Sequence, residues 1–153
     1  MRRTPAPYQL VAGQALTGTL TEIGTAGNAR IRVLIADYVM VLVDYTRDAG
    51  SATGTPVLKA EFNMTADTAQ DPATITTGWY GVPSQDASTY TAGAMDQYAI
   101  SSTSEPSAAG PYRVLFGPFP GALGNFMRVL MADSDAANPG TATISFFEAV
   151  GGV

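Results

Sequence analysis

Along residues 29–48, ARIRVLIADYVMVLVDYTRD, apolar side chains fall on alternate positions. Ala29, Ile31, Val33, Ile35, Val39, Val41, Val43 and Tyr45 occupy the odd places, and only Asp37 breaks the row. A period of two is that of a β-strand with one face buried. The even positions are polar at both ends, Arg30 and Arg32 at one and Asp44, Thr46 and Asp48 at the other, and apolar between. The middle is therefore expected to be covered on both faces. Ala36-Asp37 lacks the Asn-Gly or Gly-X chemistry of a two-residue hairpin, so the segment is expected to divide near Asp37, by a bulge or by crossing between two sheets.

The same period recurs elsewhere. Residues 8–11 and 16–23 (LTGTLTEI) are expected strands, the second followed by a turn over 24–28. In residues 57–64 (VLKAEFNM), Leu58, Ala60, Phe62 and Met64 are expected to face in, and Lys59, Glu61 and Asn63 out. Tyr112, Val114 and Phe116 share one face of a strand expected to end at the rigid turn GPFPG, residues 117–121. Residues 125–133 and 141–150 are expected to form a final pair of strands. RVLIAD at 32–37 and RVLMAD at 128–133 differ at one position and each follows a Gly-Asn turn, which suggests equivalent places in a two-sheet fold.

Two stretches depart from alternation. MRRTPAP, residues 1–7, has prolines at alternate positions and favours an extended, polyproline-like arm. Residues 65–111 are rich in Ala, Ser, Thr, Asp, Gly and Pro and carry no Lys or Arg, with islands at 74–82 and 97–101. Recurrent Trp79, Tyr80, Tyr90, Met95, Tyr98 and Ile100 favour long ordered loops and short edge strands there. The expectation is an all-β protein: one β-sandwich domain over residues 8–153, jelly-roll-like, with about eight strands, long loops and an N-terminal arm over residues 1–7.

Composition narrows the chemistry. Glycine (16) and proline (10) are plentiful and charged residues make up only 14%, which suits short strands joined by turns. The net charge of −5, with arginines scattered at 2, 3, 30, 32, 47, 113 and 128, disfavours nucleic acid as a partner. With neither cysteine nor histidine in the chain, disulfides, His-dependent triads and zinc sites built on His or Cys are excluded. The first ten residues contain no apolar run of a signal peptide, and no stretch approaches the roughly 20 apolar residues of a membrane span. A soluble product made in the cytoplasm, beginning at Met1, is expected.

Carboxylates are the remaining acid–base equipment, as the pairs Asp44 with Asp48, Asp67 with Asp71 and Asp133 with Asp135. Glycosidase-type work needs two carboxyls at a set separation, one with a raised pKa. These pairs sit at strand ends and in turns, where Asp normally accepts local backbone hydrogen bonds. No loop matches a calcium-binding pattern, Lys59 lies on an outward face, and GSATGT at 50–55 lacks the lysine and helix of a phosphate loop. No catalytic residue, metal or cofactor is expected. Trp79-Tyr80, between two glycines, offers either a sugar-stacking or protein-contact platform or a plug for the sandwich edge. Asn63-Met64-Thr65 matches a glycosylation sequon without an export signal.

The strand VMVLVDYTRD leading through a Gly-Thr loop into VLKAEF, the Ser/Thr/Ala-rich middle, the lack of Cys and His and the proline-containing arm together resemble the decoration, or cement, proteins of tailed-phage heads. The resemblance implies a non-enzymatic virion protein on the capsid exterior, with a β-sandwich or jelly-roll fold and a homotrimeric state. It also implies binding to the major capsid protein and involves neither nucleic acid nor a membrane. Carried onto this chain, partner contacts would come from Met1, Arg2, Arg3, Thr4, Pro5 and Pro7 of the arm and from the loops of residues 65–111. The platform Trp79 and Tyr80 lies within that region. A carbohydrate-binding module, or another head or tail protein, is the alternative.

Overall fold

A computed structural model describes residues 8–24, 29–33, 38–51, 54–82, 97–99, 112–120 and 123–149. Among the described residues ten strands are present: β1 (Tyr8–Ala15), β2 (Thr21–Glu22), β3 (Arg30–Arg32), β4 (Tyr38–Thr46), β5 (Pro56–Asn63), β6 (Trp79–Gly81), β7 (Gln97–Ala99), β8 (Tyr112–Pro120), β9 (Phe126–Asp133) and β10 (Thr141–Ala149). They form two antiparallel sheets. Sheet A has the order β1-β10-β4-β8; sheet B has β2-β9-β5-β6, with β3 also on β9 and β7 also on β5. Taking β2 with β3, and β6 with β7, as single positions leaves eight, in the order 1-8-3-6 facing 2-7-4-5. That is the order of a jelly roll. The all-β sandwich expected from the alternation is the observed fold.

The segment of residues 29–48 changes sheets. β3 pairs with β9 in sheet B, whereas β4 lies between β10 and β8 in sheet A. Asp37 itself falls outside the described residues. Val39, Val41, Val43 and Tyr45 point inward as their period requires, and pack with Ile144, Phe146 and Phe116 against Leu58, Ala60, Phe62, Met127, Val129 and Met131 of sheet B.

Several expectations need correction. Coverage on both faces belongs to β5 rather than β4: Met40 and Leu42 are only half-buried and Tyr38 is 50% exposed, while Ala60 to Asn63 are all buried. Glu61 and Asn63 thus point away from the core but are buried, Glu61 between Lys59 and Arg128 and Asn63 against Thr65, Ala66 and Thr77, and Met64, expected inside, is 62% exposed just past the strand end. Lys59 is half-buried and ion-paired with Glu61 at 2.9 Å rather than solvated. Residues 16–20 are not a strand: β1 runs on to Ala15, only Thr21–Glu22 of this segment pairs with β9, and Leu16 just after β1 and Ile23 just after β2 are buried anchors. Gly117-Pro118 does not end β8, which continues to Pro120 past a register shift opposite Val39 and Val41, with Gly117 at φ +114°. Only glycine tolerates that angle comfortably. Of the repeated hexapeptides, residues 34–37 of the first lie outside the described residues; its Arg32 ends β3 opposite Phe126, whereas residues 128–133 fill most of the neighbouring strand β9 of the same sheet.

The registers give the sandwich two unlike ends. At one, Tyr38 lies opposite Ala149 and Pro120, and Asn63 opposite Phe126 and Trp79. Here β1 begins and β10 finishes. At the other end Thr55, through its N–H and Oγ1, meets Ser134 Oγ at 3.0 and 3.1 Å, joining the chain before β5 to the loop after β9.

Candidate functional site

The outer face of sheet B is built on charge. Arg30 and Arg128 are cross-strand partners and therefore share this face with Glu61, which is opposite Arg128 on the far side of β9. Glu22 lies between the arginines: Arg30 Nε and Nη2 donate to its two carboxylate oxygens at 2.7 and 3.1 Å, and Arg128 Nη1 reaches Oε2 at 3.4 Å. Arg128 also grips Glu61 Oε2 through Nε at 2.7 Å and Nη2 at 2.6 Å. The Glu22 hydrogen bond raises the Arg30 pKa further, against the lowering effect of burial.

This network pins a strap. Arg30 Nη1 donates to the carbonyls of Pro72, Ala73 and Ile75 at 3.0, 3.2 and 2.7 Å, so one guanidinium collects the carbonyl oxygens around the 3₁₀ turn Pro72–Thr74. Arg32 Nη2 holds Gln70 O at 3.0 Å, and Asn125 Nδ2 holds Ala66 O at 3.1 Å. Asn63 serves the strap at both ends, donating to Thr77 O at 2.6 Å and accepting from the N–H groups of Thr65 and Ala66 at 3.0 and 2.9 Å. With its amide engaged and fully buried, the sequon asparagine is shut off from modifying enzymes. Beneath the strap, Ala66, Ile75 and Phe126 form a small second core with Trp79 against it.

Trp79 and Tyr80 therefore have different surroundings. The Arg128 guanidinium carbon is 4.4 Å from the indole centroid and that of Arg30 is 5.7 Å away, while Trp79 Nε1 donates to Ile75 O at 3.4 Å. The half-buried indole is thus engaged by cation–π contact and packing. Tyr80 pairs with Phe62 across the strands and is 60% exposed, at the same end of the sheet as Met64. Met1, Arg2, Arg3, Thr4, Pro5 and Pro7 lie outside the described residues.

The carboxylate pairs are bound up in local structure. Asp48, Asp67, Asp71, Asp133 and Asp135 each accept from the N–H two residues ahead, at 2.7, 2.8, 3.0, 2.8 and 3.1 Å. Asp44 instead pairs with Arg113 at 2.7 Å. A hydrogen bond from the Ser51 side chain, with the N–H groups of Asn138 and Ala137, holds the Asp135 carboxyl below its usual range, against the raised pKa wanted of a general acid. Among the described residues no group of three or more acidic side chains is placed to hold a metal ion, and no helix is long and apolar enough to cross a membrane.

Sequence reasoning treated the arginines as scattered and missed the strap. The available signal was their position: Arg30, Arg32 and Arg128 sit on outward places of two strands, with Glu61 outward on a third. No family model matches the chain, and neither curated proteins nor solved structures provide a match.

Proposed function

We propose that this protein is a non-enzymatic virion component that decorates a phage capsid, binding the outer surface of the major capsid protein lattice as a homotrimer. The observation that supports a binding role is the polarity of the sandwich. Among the described residues, three of the most exposed large apolar side chains, Tyr38 on sheet A and Met64 and Tyr80 on sheet B, lie toward the end where β1 starts and β10 stops. The opposite end is closed by hydrogen-bonded aspartate turns. Exposed apolar groups collected at one end serve recognition, and threefold symmetry repeats a modest contact into a firm one. The virion setting comes from the likeness in sequence style to decoration proteins; jelly rolls also build lectins, so the fold alone does not choose.

Mixing the purified protein with undecorated heads tests this. Co-sedimentation and a rise in the heat resistance of the heads are expected, both weakened by Tyr80→Ala with Met64→Ala. Heads that neither bind the protein nor gain resistance overturn the reading. Binding to a glycan array instead would favour the carbohydrate alternative, with Tyr80 as the available ring.

A further inference from the structure

The outer face of sheet A differs from that of sheet B. Val41, Val43 and Phe116 are buried in the core, so Met40, Leu42 and Asp44 of β4 and Arg113 and Leu115 of β8 point outward. Leu42 is opposite Leu115 and Asp44 is opposite Arg113. Met40 lies beside the exposed Gly117-Pro118 bulge, between the Val41–Phe116 and Val39–Phe119 pairs. Leu115 is 54% exposed, and Met40 and Leu42 are half-buried.

Resting on the reading of this protein as an assembly component, we propose that this face meets the same face of a second copy of the chain, across a two-fold axis running along the strands between β4 and β8. Register carries the argument. A two-fold contact sets one patch against itself, so that what one residue meets on the other copy is returned in kind. An axis between two neighbouring strands exchanges their places: above each β4 side chain of one copy stands its β8 partner from the other. Leu42 then meets Leu115, Met40 covers the Gly117-Pro118 bulge, and Asp44 meets Arg113, each in both directions. An axis along β4 would set Asp44 against Asp44, and one along β8 would set Arg113 against Arg113. Facing sheets cross at ~30°, which displaces the ends of a row of about 14 Å by only ~3–4 Å, within the reach of an arginine.

Charge is the second argument. Two chains of net charge −5 repel each other, so a self-contact needs a neutral patch that carries its own counter-charges. Asp44 and Arg113 balance, and pair at 2.7 Å with the Arg113 side chain 78% exposed. One such exposed pair contributes little, whereas two brought together form a network of four alternating charges. Area sets the strength. Two strands of nine residues overlap over ~10 Å by ~31 Å, roughly 300 Å² per copy, against the ~800 Å² of a standard interface. The contact is therefore weak between free copies and firm where another surface holds them side by side, as a lattice does.

The test is a charge swap between chains. Fluorescently labelled Asp44→Arg protein is titrated with unlabelled Arg113→Asp protein, so that two positive charges on one copy face two negative charges on the other. Binding at least as tight as that between wild-type chains is expected. Each variant titrated with itself should bind about tenfold more weakly or worse, since like charges then face each other. Leu115→Glu should weaken every combination. Circular dichroism and Trp79 emission identify a misfolded variant; Asp44→Lys or Arg113→Glu then replaces it. Wild-type chains that stay apart at millimolar concentration, a mixture that binds no better than the separate variants, or association indifferent to Leu115→Glu overturns the inference. A charge swap that restores association in a protein that ignores heads upholds the contact and overturns decoration. Heads that bind wild type and variants alike, with no gain in the mixture, do the reverse.

Discussion

The Tyr45 hydroxyl donates a 2.6 Å hydrogen bond to Asp133 Oδ2, joining the last turn of β4 in sheet A to the end of β9 in sheet B. Both residues are buried, and the same carboxylate oxygen accepts from Gly140 N at 2.7 Å. Tyr45→Phe is expected to cost about 1.5–3 kcal/mol, the range for a hydrogen bond to a charged group. Asp133→Ala should cost more, because it strands the tyrosine hydroxyl and two backbone N–H groups at once. Urea unfolding of both variants checks the order.

Gly140 occupies the tightest part of the same junction. A Cβ there would run into Thr46 O and the Tyr45 ring. Gly140→Ala should therefore lower stability by roughly 1–3 kcal/mol through overpacking against backbone that has nowhere to move. A denaturation midpoint equal to wild type would show that the junction gives way.

The strap over sheet B supplies a local optical probe, since Trp79 is the protein's single tryptophan. Arg30→Lys and Arg128→Lys keep the charge but lose the planar fork that spans several acceptors. Each should shift Trp79 emission to the red and admit limited proteolysis within residues 65–78. The expected loss is about 1–3 kcal/mol, with sheet A untouched. Unchanged emission in both would remove the arginines from the role assigned to them.

Glu148 sits on the inward side of β10, opposite Val39, where desolvation raises its pKa. The native state then holds this proton more tightly than the unfolded chain. The group favours folding at low pH, and that contribution is lost as pH rises from the ordinary glutamate value through the raised one. Glu148→Gln should increase the melting temperature at pH 7 and have little effect below pH 4, as measured by thermal scans across pH.

The β4, β5, β9 and β10 strands could be read from alternation because each has one face against the shared core. What alternation could not reveal was cover from distant chain: Glu61 and Asn63 read as outward, correctly, but Arg128, remote in sequence, covers the first, and a strap with no periodicity engages the second. Gly117-Pro118 looked like a stop because proline lacks a donor, yet β8 is an edge strand of sheet A, where a missing N–H is tolerated. Trp79-Tyr80 was visible as a pair of aromatics, but which ring was free depended on Arg30 and Arg128, remote in sequence.

The jelly-roll order also governs synthesis. β10, the final described strand, inserts between β1 and β4, the first and third positions of the roll. Until residues 141–149 clear the ribosome, β1 and β4 have no partner on that side, so sheet A completes itself only once β10 has been translated. Such long-range closure is slow. The nascent chain meanwhile shows neighbouring copies two unpaired strand edges, and low translation rates or chaperone supply should decide the yield of folded protein more than the stability of the finished sandwich.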